Sequence, residues 1–423
     1  MVYPRQRLYD INHTGFAKAV LLGSINTDGE DESTVCGALK QAFFEYTGVD
    51  DVIPLSRGRL AVYFGVKHSI TPKRRKVLMS PFTIFDVVNM VLVAGGEPNF
   101  VDTKPGSVHV SCRSLEEAID GNTGAVIVTH YHSTNREIES IAAMCRAYGV
   151  KLIEDCAISL GGRFGGRHVG TFGDCALFSF GLFKFVSAYF GGGMWLRCPE
   201  TRAAVEAEIA TWPRMCARDI APQFLKGIKL STLTNTTVFD LLTFPVFRYG
   251  YLRNVEFIKK NAQNDPDPFV RKSLALELMR RPSLFQLREV VRQIPLVEGD
   301  RRKRVSNACR YYENLIGTNI GGLPDRPDRS MDCYLNFPIT LDGNREWFVA
   351  ELMKSGFDVS VYYYRNCAEI SAFRKYCKYL PNVSRLVRGI VFFPAYPRVT
   401  PAYIDRLTTR VEELICLSGR RRG

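Results

Sequence analysis

Two neighbouring stretches decide how this chain is read. The first is Ile153-Glu154-Asp155-Cys156-Ala157. After a glycine-rich turn from Gly161 to Gly173 comes the second, Asp174-Cys175-Ala176-Leu177-Phe178-Ser179-Phe180-Gly181-Leu182-Phe183-Lys184. A carboxylate ends one apolar strand, a serine ends the next, and a lysine follows five residues after the serine. These three groups match what pyridoxal 5'-phosphate requires: an acid for the ring nitrogen, a hydroxyl for the phosphate and an amine for the aldehyde. The spacing therefore predicts carbon–nitrogen chemistry.

Working outward, residues 56 to 155 alternate short β-rich runs with helical ones. Strands are expected at Val77–Met79, Pro98–Asp102, Ala125–Thr129 and Lys151–Asp155. Helices are expected at Leu60–Val66, Phe85–Ala94, Leu115–Ile119 and Ile138–Tyr148. Such alternation predicts an α/β fold with a doubly wound, mostly parallel sheet. Functional groups collect at the carboxyl ends of strands in such sheets, where Asp155 and the turn Thr129-His130-Tyr131-His132 both fall. The segment from Pro199 to Arg281 breaks the rhythm and is expected to be a mainly helical insertion. Phe285 to Ile316 is expected to be a long helix broken at Pro295, and the last hundred residues an α+β unit. The predicted organisation is a large domain over 1–282, with the insertion at about 199–281, and a small C-terminal domain over 283–423.

The chain has 423 residues, enough for one large and one small domain. Its 12 cysteines form no C-x-x-C pair, and several sit within apolar runs. Reduced thiols in a cytoplasmic protein are expected, with no zinc site or other metal centre. The first residues, Met1 to Arg7, carry no apolar stretch, so a cleaved secretory signal is not expected, and no apolar run is long enough for a membrane span. Net charge is +13, from 56 basic and 43 acidic residues. The basic residues are scattered, and no nucleic-acid-binding motif accompanies them. Solvated surface charge and an anionic small-molecule substrate are therefore favoured over nucleic acid.

Each candidate side chain also has a plainer reading. A strand-end aspartate such as Asp155 is most often a cap or turn residue; buried and ionised, it would need a cationic partner. A lone lysine usually snorkels to the surface. Lys184 instead sits among apolar neighbours near Gly191-Gly192-Gly193, surroundings suited to a nucleophilic amine. The run Ser56-Arg57-Gly58-Arg59-Leu60-Ala61 opens a helix whose first N–H groups could face a phosphate, although many helices begin this way.

Several motifs recur in a fixed order. They are Gly58-x-x-Ala61, Pro81-Phe82-Thr83 with Asn89, Ala94-Gly95-Gly96-x-Pro98-x-Phe100-Val101-Asp102, Ile153 to Ala157, the glycine run ending at Gly173-Asp174, and Phe178-Ser179-Phe180-x-x-x-Lys184. Phe392-Phe393-Pro394 closes the set. In this order they resemble the DegT-type (DegT/StrS) sugar aminotransferases. The resemblance implies the aspartate aminotransferase-like fold (fold type I) and pyridoxal 5'-phosphate as cofactor. It further implies Lys184 as the covalent attachment point and proton shuttle, and Asp155 on the ring nitrogen. Ser179 with the Gly58-Arg59 backbone would hold the phosphate. Ile84 and Phe85 would stand where an aromatic usually stacks on the ring, and Ile158 where the family usually places Gln or His near the cofactor hydroxyl.

Four departures accompany the likeness. Ile84 replaces the stacking aromatic, Ile158 the Gln or His, and Phe190 the Glu that usually precedes the double glycine. The asparagine expected from a partner subunit is missing, with Arg280 or Arg281 as the expected substitute. The resemblance implies a homodimer with shared active sites, a keto sugar nucleotide as substrate and glutamate as amino donor. A sister branch of sugar dehydratases carries His in place of the lysine, so Lys184 speaks against it. A non-catalytic protein of this fold is the remaining alternative. The insertion's apolar residues, Phe239, Leu241, Leu242, Phe244, Phe247, Tyr249, Tyr251 and Phe257, are expected to pack on the catalytic domain or across the dimer. A membrane-surface contact is the less favoured reading.

Overall fold

Short aliphatic runs supply the sheet that carries the site. The computed structural model describes residues 1–8, 10–27, 31–255, 267–361 and 364–420. In chain order the strands begin with β1 (Ile53–Leu55), β2 (Lys76–Met79), the two-residue β3 (Phe82–Thr83), β4 (Glu97–Phe100), β5 (Thr123–Thr129) and β6 (Lys151–Asp155). They continue with the hairpin β7 (Arg163–Phe164) and β8 (Arg167–His168), then β9 (Cys175–Ser179) and β10 (Gly192–Leu196). Seven of them form one sheet in the order β1-β10-β9-β6-β5-β2-β4. Strands β9, β6, β5, β2 and β4 run parallel, and β10 runs against both its neighbours. In β5, six consecutive residues from Thr123 are buried, as expected of a strand covered on both faces.

Helices α1 (His13–Leu21), α2 (Glu32–Thr47), α3 (Arg59–Lys67), α4 (Phe85–Val93), α5 (Cys112–Glu116), α6 (Ile138–Ala147), α7 (Pro199–Ala210) and α8 (Ala217–Leu233) surround the sheet. Helix α5 begins three residues earlier than the apolar pattern suggested, because Ser111 caps it by accepting the Ser114 N–H at 2.9 Å. The long C-terminal helix divides at Pro295, which has no N–H to continue the ladder. The result is a helix over Leu284–Gln293, a tight turn over Ile294–Leu296 and a second helix over Val297–Leu315.

A second core gathers around β11 (Asn336–Thr340) and β13 (Ile390–Pro394), which pair antiparallel, and the helix Pro401–Arg420. The short β12 (Arg365–Asn366) pairs with β3 and so places this part of the chain beside Thr83. Within the segment 199–281, Phe239 and Phe244 are buried in the second core together with Tyr3. Leu241, Leu242 and Tyr249 point outward instead, each more than 60% exposed. The segment thus buries only part of its apolar surface within the chain; Phe257 lies outside the described residues.

The two acidic residues ending β6 go to opposite faces because strand side chains alternate. Glu154 is fully buried. It accepts the N–H groups of Gly170 (2.8 Å), Phe172 (2.7 Å) and Gly173 (2.6 Å), and His130 Nε2 lies 3.2 Å away. His130 Nδ1 accepts the Asn135 N–H, so the Nε2 proton points at Glu154. This clasp shapes the glycine-rich turn between β6 and β9. Glu154→Ala should cost roughly 3–5 kcal/mol by stranding three buried N–H groups. The measurement is the shift of the chemical denaturation midpoint, and a loss below about 1 kcal/mol would show that the turn holds itself.

Candidate active site

The parallel register decides which groups meet. Thr129 of β5 and Leu177 of β9 both stand opposite Asp155, and Ser179 ends β9 one pleat further on. Asp155 is 4% exposed, and among the described residues its one side-chain hydrogen bond is Oδ1 accepting the Ala157 N–H at 3.0 Å. Burial raises its pKa above the ordinary carboxyl value, which the Ala157 N–H and the charge of Lys184 offset only in part. A carboxylate held this way is suited to a buried cation.

Lys184 lies in the loop after β9. Its neighbour Phe183 has φ 62°, a left-handed conformation that is strained for a bulky residue and that recurs at functional turns. The Lys184 N–H donates to Gly181 O at 3.2 Å. A Cβ built on Gly181 would lie 3.8 Å from Ser179 Oγ and 3.9 Å from Lys184 Cγ, so the serine and lysine flank the same small space. The loop is held from below by two glutamines of the helix Leu284–Gln293. Gln293 exchanges hydrogen bonds with the Ser187 N–H (2.9 Å) and O (2.8 Å). Gln286 donates to Ala188 O (3.2 Å) and Phe190 O (2.9 Å). These glutamines were missed in the sequence because their partners lie about a hundred residues away. The available signal was polar residues at i and i+7 on an amphipathic helix.

The third part is the start of α3. Gly58 is its N-cap, without a side-chain cap. Leu60 and Ala61 N–H donate to Arg57 O and Gly58 O. The N–H groups of Gly58 and Arg59 donate to no backbone carbonyl among the described residues. A Cβ on Gly58 would stand 2.9 Å from Phe178 O and 3.2 Å from Ser179 Cβ, which makes glycine necessary for the helix to reach β9. Helix start and Ser179 hydroxyl, which makes no side-chain hydrogen bond among the described residues, form one anion cradle.

The two arginines here are half-buried and engaged within the fold. Arg59 pairs with Asp86, which also holds Arg271 at 3.2 Å. Arg57 lies over the Phe190 ring at 3.5 Å, and burial followed by the charge of Arg59 pushes its pKa down to about 10. The cradle's rim is therefore electropositive, and Arg59 can contribute its backbone but not a free guanidinium. Ile84 is 41% exposed at the start of α4, while Phe85 packs edge-on against Phe269 at 5.6 Å. Ile158 is buried in the apolar core and brings no polar side chain. Arg281 is tied within its own chain, to Glu32 at 3.0 Å and to Trp212 O at 3.0 Å, so it is not poised to serve a partner subunit.

Residues 20–206 and 290–412 match the DegT/DnrJ/EryC1/StrS aminotransferase family, and the chain belongs to that family. Its architecture is the fold type I aminotransferase fold of pyridoxal-phosphate-dependent enzymes. Helicobacter pylori PseC, an aminotransferase involved in the biosynthesis of pseudoaminic acid, superposes with a TM-score of 0.72 at 15% identity, over 97% of this chain and 98% of that one. The E. coli GDP-4-keto-6-deoxy-D-mannose-3-dehydratase with bound hydrated PLP gives 0.72 at 16% identity, over 96% and 98%. GDP-perosamine synthase of Vibrio cholerae is 31% identical over 150 residues, 36% of this chain. The matched part spans 41% of that relative's length. No helix among the described residues is long and apolar enough to cross a membrane.

The donor set fits pyridoxal phosphate: a buried carboxylate with one hydrogen bond, a glycine-lined cradle and a lysine whose charge reaches the carboxylate. Ser179→Ala should weaken pyridoxal phosphate binding roughly tenfold or more, the scale of one hydrogen bond to a charged group. Equilibrium dialysis checks this, and unchanged affinity would place the phosphate elsewhere.

Proposed function

We propose that the protein is a pyridoxal-phosphate-dependent aminotransferase that moves an amino group, from glutamate, onto a keto sugar nucleotide. The observation that carries this reading is the convergence of Asp155, Ser179, the start of α3 and Lys184 at the carboxyl edge of the sheet. Family membership supports it, as do relatives whose names specify amino-sugar chemistry. The same fold serves a dehydratase. Lys184, not the fold, favours amino transfer, because an amine can both attach a carbonyl and carry a proton.

When bound, pyridoxal phosphate supplies an aldehyde that condenses with amines and a ring that accepts the electron pair released at the substrate carbon. Lys184 Nζ takes the proton from the α-carbon of the amino donor and returns one at the carbon being aminated. The Asp155 carboxylate would hold the ring nitrogen in its protonated state. Ser179 Oγ and the first N–H groups of α3 would hold the phosphate. The electropositive rim suits a diphosphate-bearing substrate. Two copies of the chain sharing their sites complete the proposal.

Keto sugar nucleotides assayed with glutamate should yield 2-oxoglutarate and an amino sugar nucleotide detectable by mass. Lys184→Ala should abolish that turnover while leaving the fold intact by circular dichroism. Asp155→Asn should retain the cofactor but lose roughly 10²–10³-fold in rate, the scale of a lost preorganised charge contact. More than trace turnover by Lys184→Ala, or a near-normal rate for Asp155→Asn, would contradict the assigned roles.

A further inference from the structure

A histidine at the end of β5 has a buried proton with nowhere to go. His132 is 2% exposed, and among the described residues its Nε2 has no hydrogen-bond partner. Its Nδ1 accepts the Asn336 N–H at 3.2 Å, which assigns the ring proton to Nε2 and makes that atom a donor. The ring cannot easily turn away. Phe392 packs against it at 5.1 Å between centroids, and the residue's own carbonyl accepts the Tyr334 N–H at 2.7 Å. Burial, and then the charge of Lys184, push its pKa down to about 3, so the imidazole is neutral at any working pH and Lys184 lies within its electrostatic reach. Buried polar groups are almost always satisfied, so an unpaired donor within electrostatic reach of Lys184 is a candidate to meet a bound ligand.

The position of Ile158 narrows what that acceptor is. Cys333 Sγ lies 3.7 Å from His132 O and 3.9 Å from Ile158 O, so the backbones of these two residues come together beside one thiol. Of these two residues, His132 offers a side-chain donor and Ile158 does not. The phenolic oxygen of pyridoxal is bonded to the ring carbon next to the one bearing the aldehyde, and so lies beside the group that Lys184 attaches to. In a dry site its negative charge requires a donor. Resting on the cofactor assignment above, we infer that His132 Nε2–H is the hydrogen-bond donor to the phenolic oxygen of the bound cofactor, the contact that Ile158 cannot make.

The consequence is spectroscopic and needs no turnover. The phenolic oxygen also attracts the proton on the nitrogen joining Lys184 to the cofactor. A second donor drains that negative charge and lowers the pKa of the joining nitrogen; removing the donor raises it. The test is a pH titration of the visible absorbance of substrate-free holoenzyme, with the pyridoxal phosphate Kd measured alongside. His132→Phe should titrate about one pH unit higher than the parent and bind the cofactor several-fold more weakly. His132→Gln, which restores a donor, should return toward the parent values, as should Ile158→Gln placed in the His132→Phe protein.

An unshifted titration with unchanged Kd in His132→Phe would overturn the inference. So would a His132→Gln protein that behaves like His132→Phe, since ring packing and not the donor would then be responsible. A parent protein that binds no pyridoxal phosphate would overturn the cofactor assignment itself, an outcome distinguishable from both.

Discussion

Two carboxylates one residue apart, on opposite faces of one strand, set the plan of this protein. Glu154 faces away from the site and is saturated by three backbone N–H groups with His130 alongside. Asp155 faces the site and has one N–H. The desolvation cost of the first is offset within the fold, whereas that of the second is left for a ligand to offset. By clasping Gly170 to Gly173, Glu154 fixes the turn that leads into β9, and β9 delivers Ser179 and the loop of Lys184. The structural acid thus determines where the chemical groups arrive.

The same division recurs around the site. Gln286 and Gln293 satisfy the backbone of the lysine loop, and Asp86 engages Arg59 and Arg271. Among the described residues, the polar atoms left over include Asp155 Oδ2, Ser179 Oγ, the first N–H groups of α3 and His132 Nε2. They lie at or beside the carboxyl edge of the sheet, where doubly wound sheets gather ligands. Phe190, which stands where a glutamate was expected, is engaged with Arg57. That departure from the family pattern is met locally by a cation over an aromatic face.

The sheet and the set Asp155, Ser179 and Lys184 were legible in the sequence because they rest on local signals. These are β-branched runs, the spacing from serine to lysine, and a glycine opening a helix. What was not legible depends on partners distant in the chain. Nothing in Glu154-Asp155 says which acid faces the site, since the clasp on Glu154 comes from residues 16 to 19 positions later. His132 was visible as a strand-end histidine, but its orphan proton is set by Asn336, some two hundred residues away. The side chain of Arg59 is likewise set by a distant partner, Asp86, 27 positions later. The apolar residues of 239–251 gave no sign of which would be buried, because a π-helical turn over Phe239–Thr243 shifts the helical phase there.

The central claim is that Lys184 is the amine through which this fold holds pyridoxal phosphate. Borohydride reduction of the holoenzyme followed by peptide mapping tests it most directly. The account predicts one modified peptide, carrying the reduced cofactor on Lys184. A cofactor fixed on another lysine, or none fixed in protein saturated with pyridoxal phosphate, would contradict it.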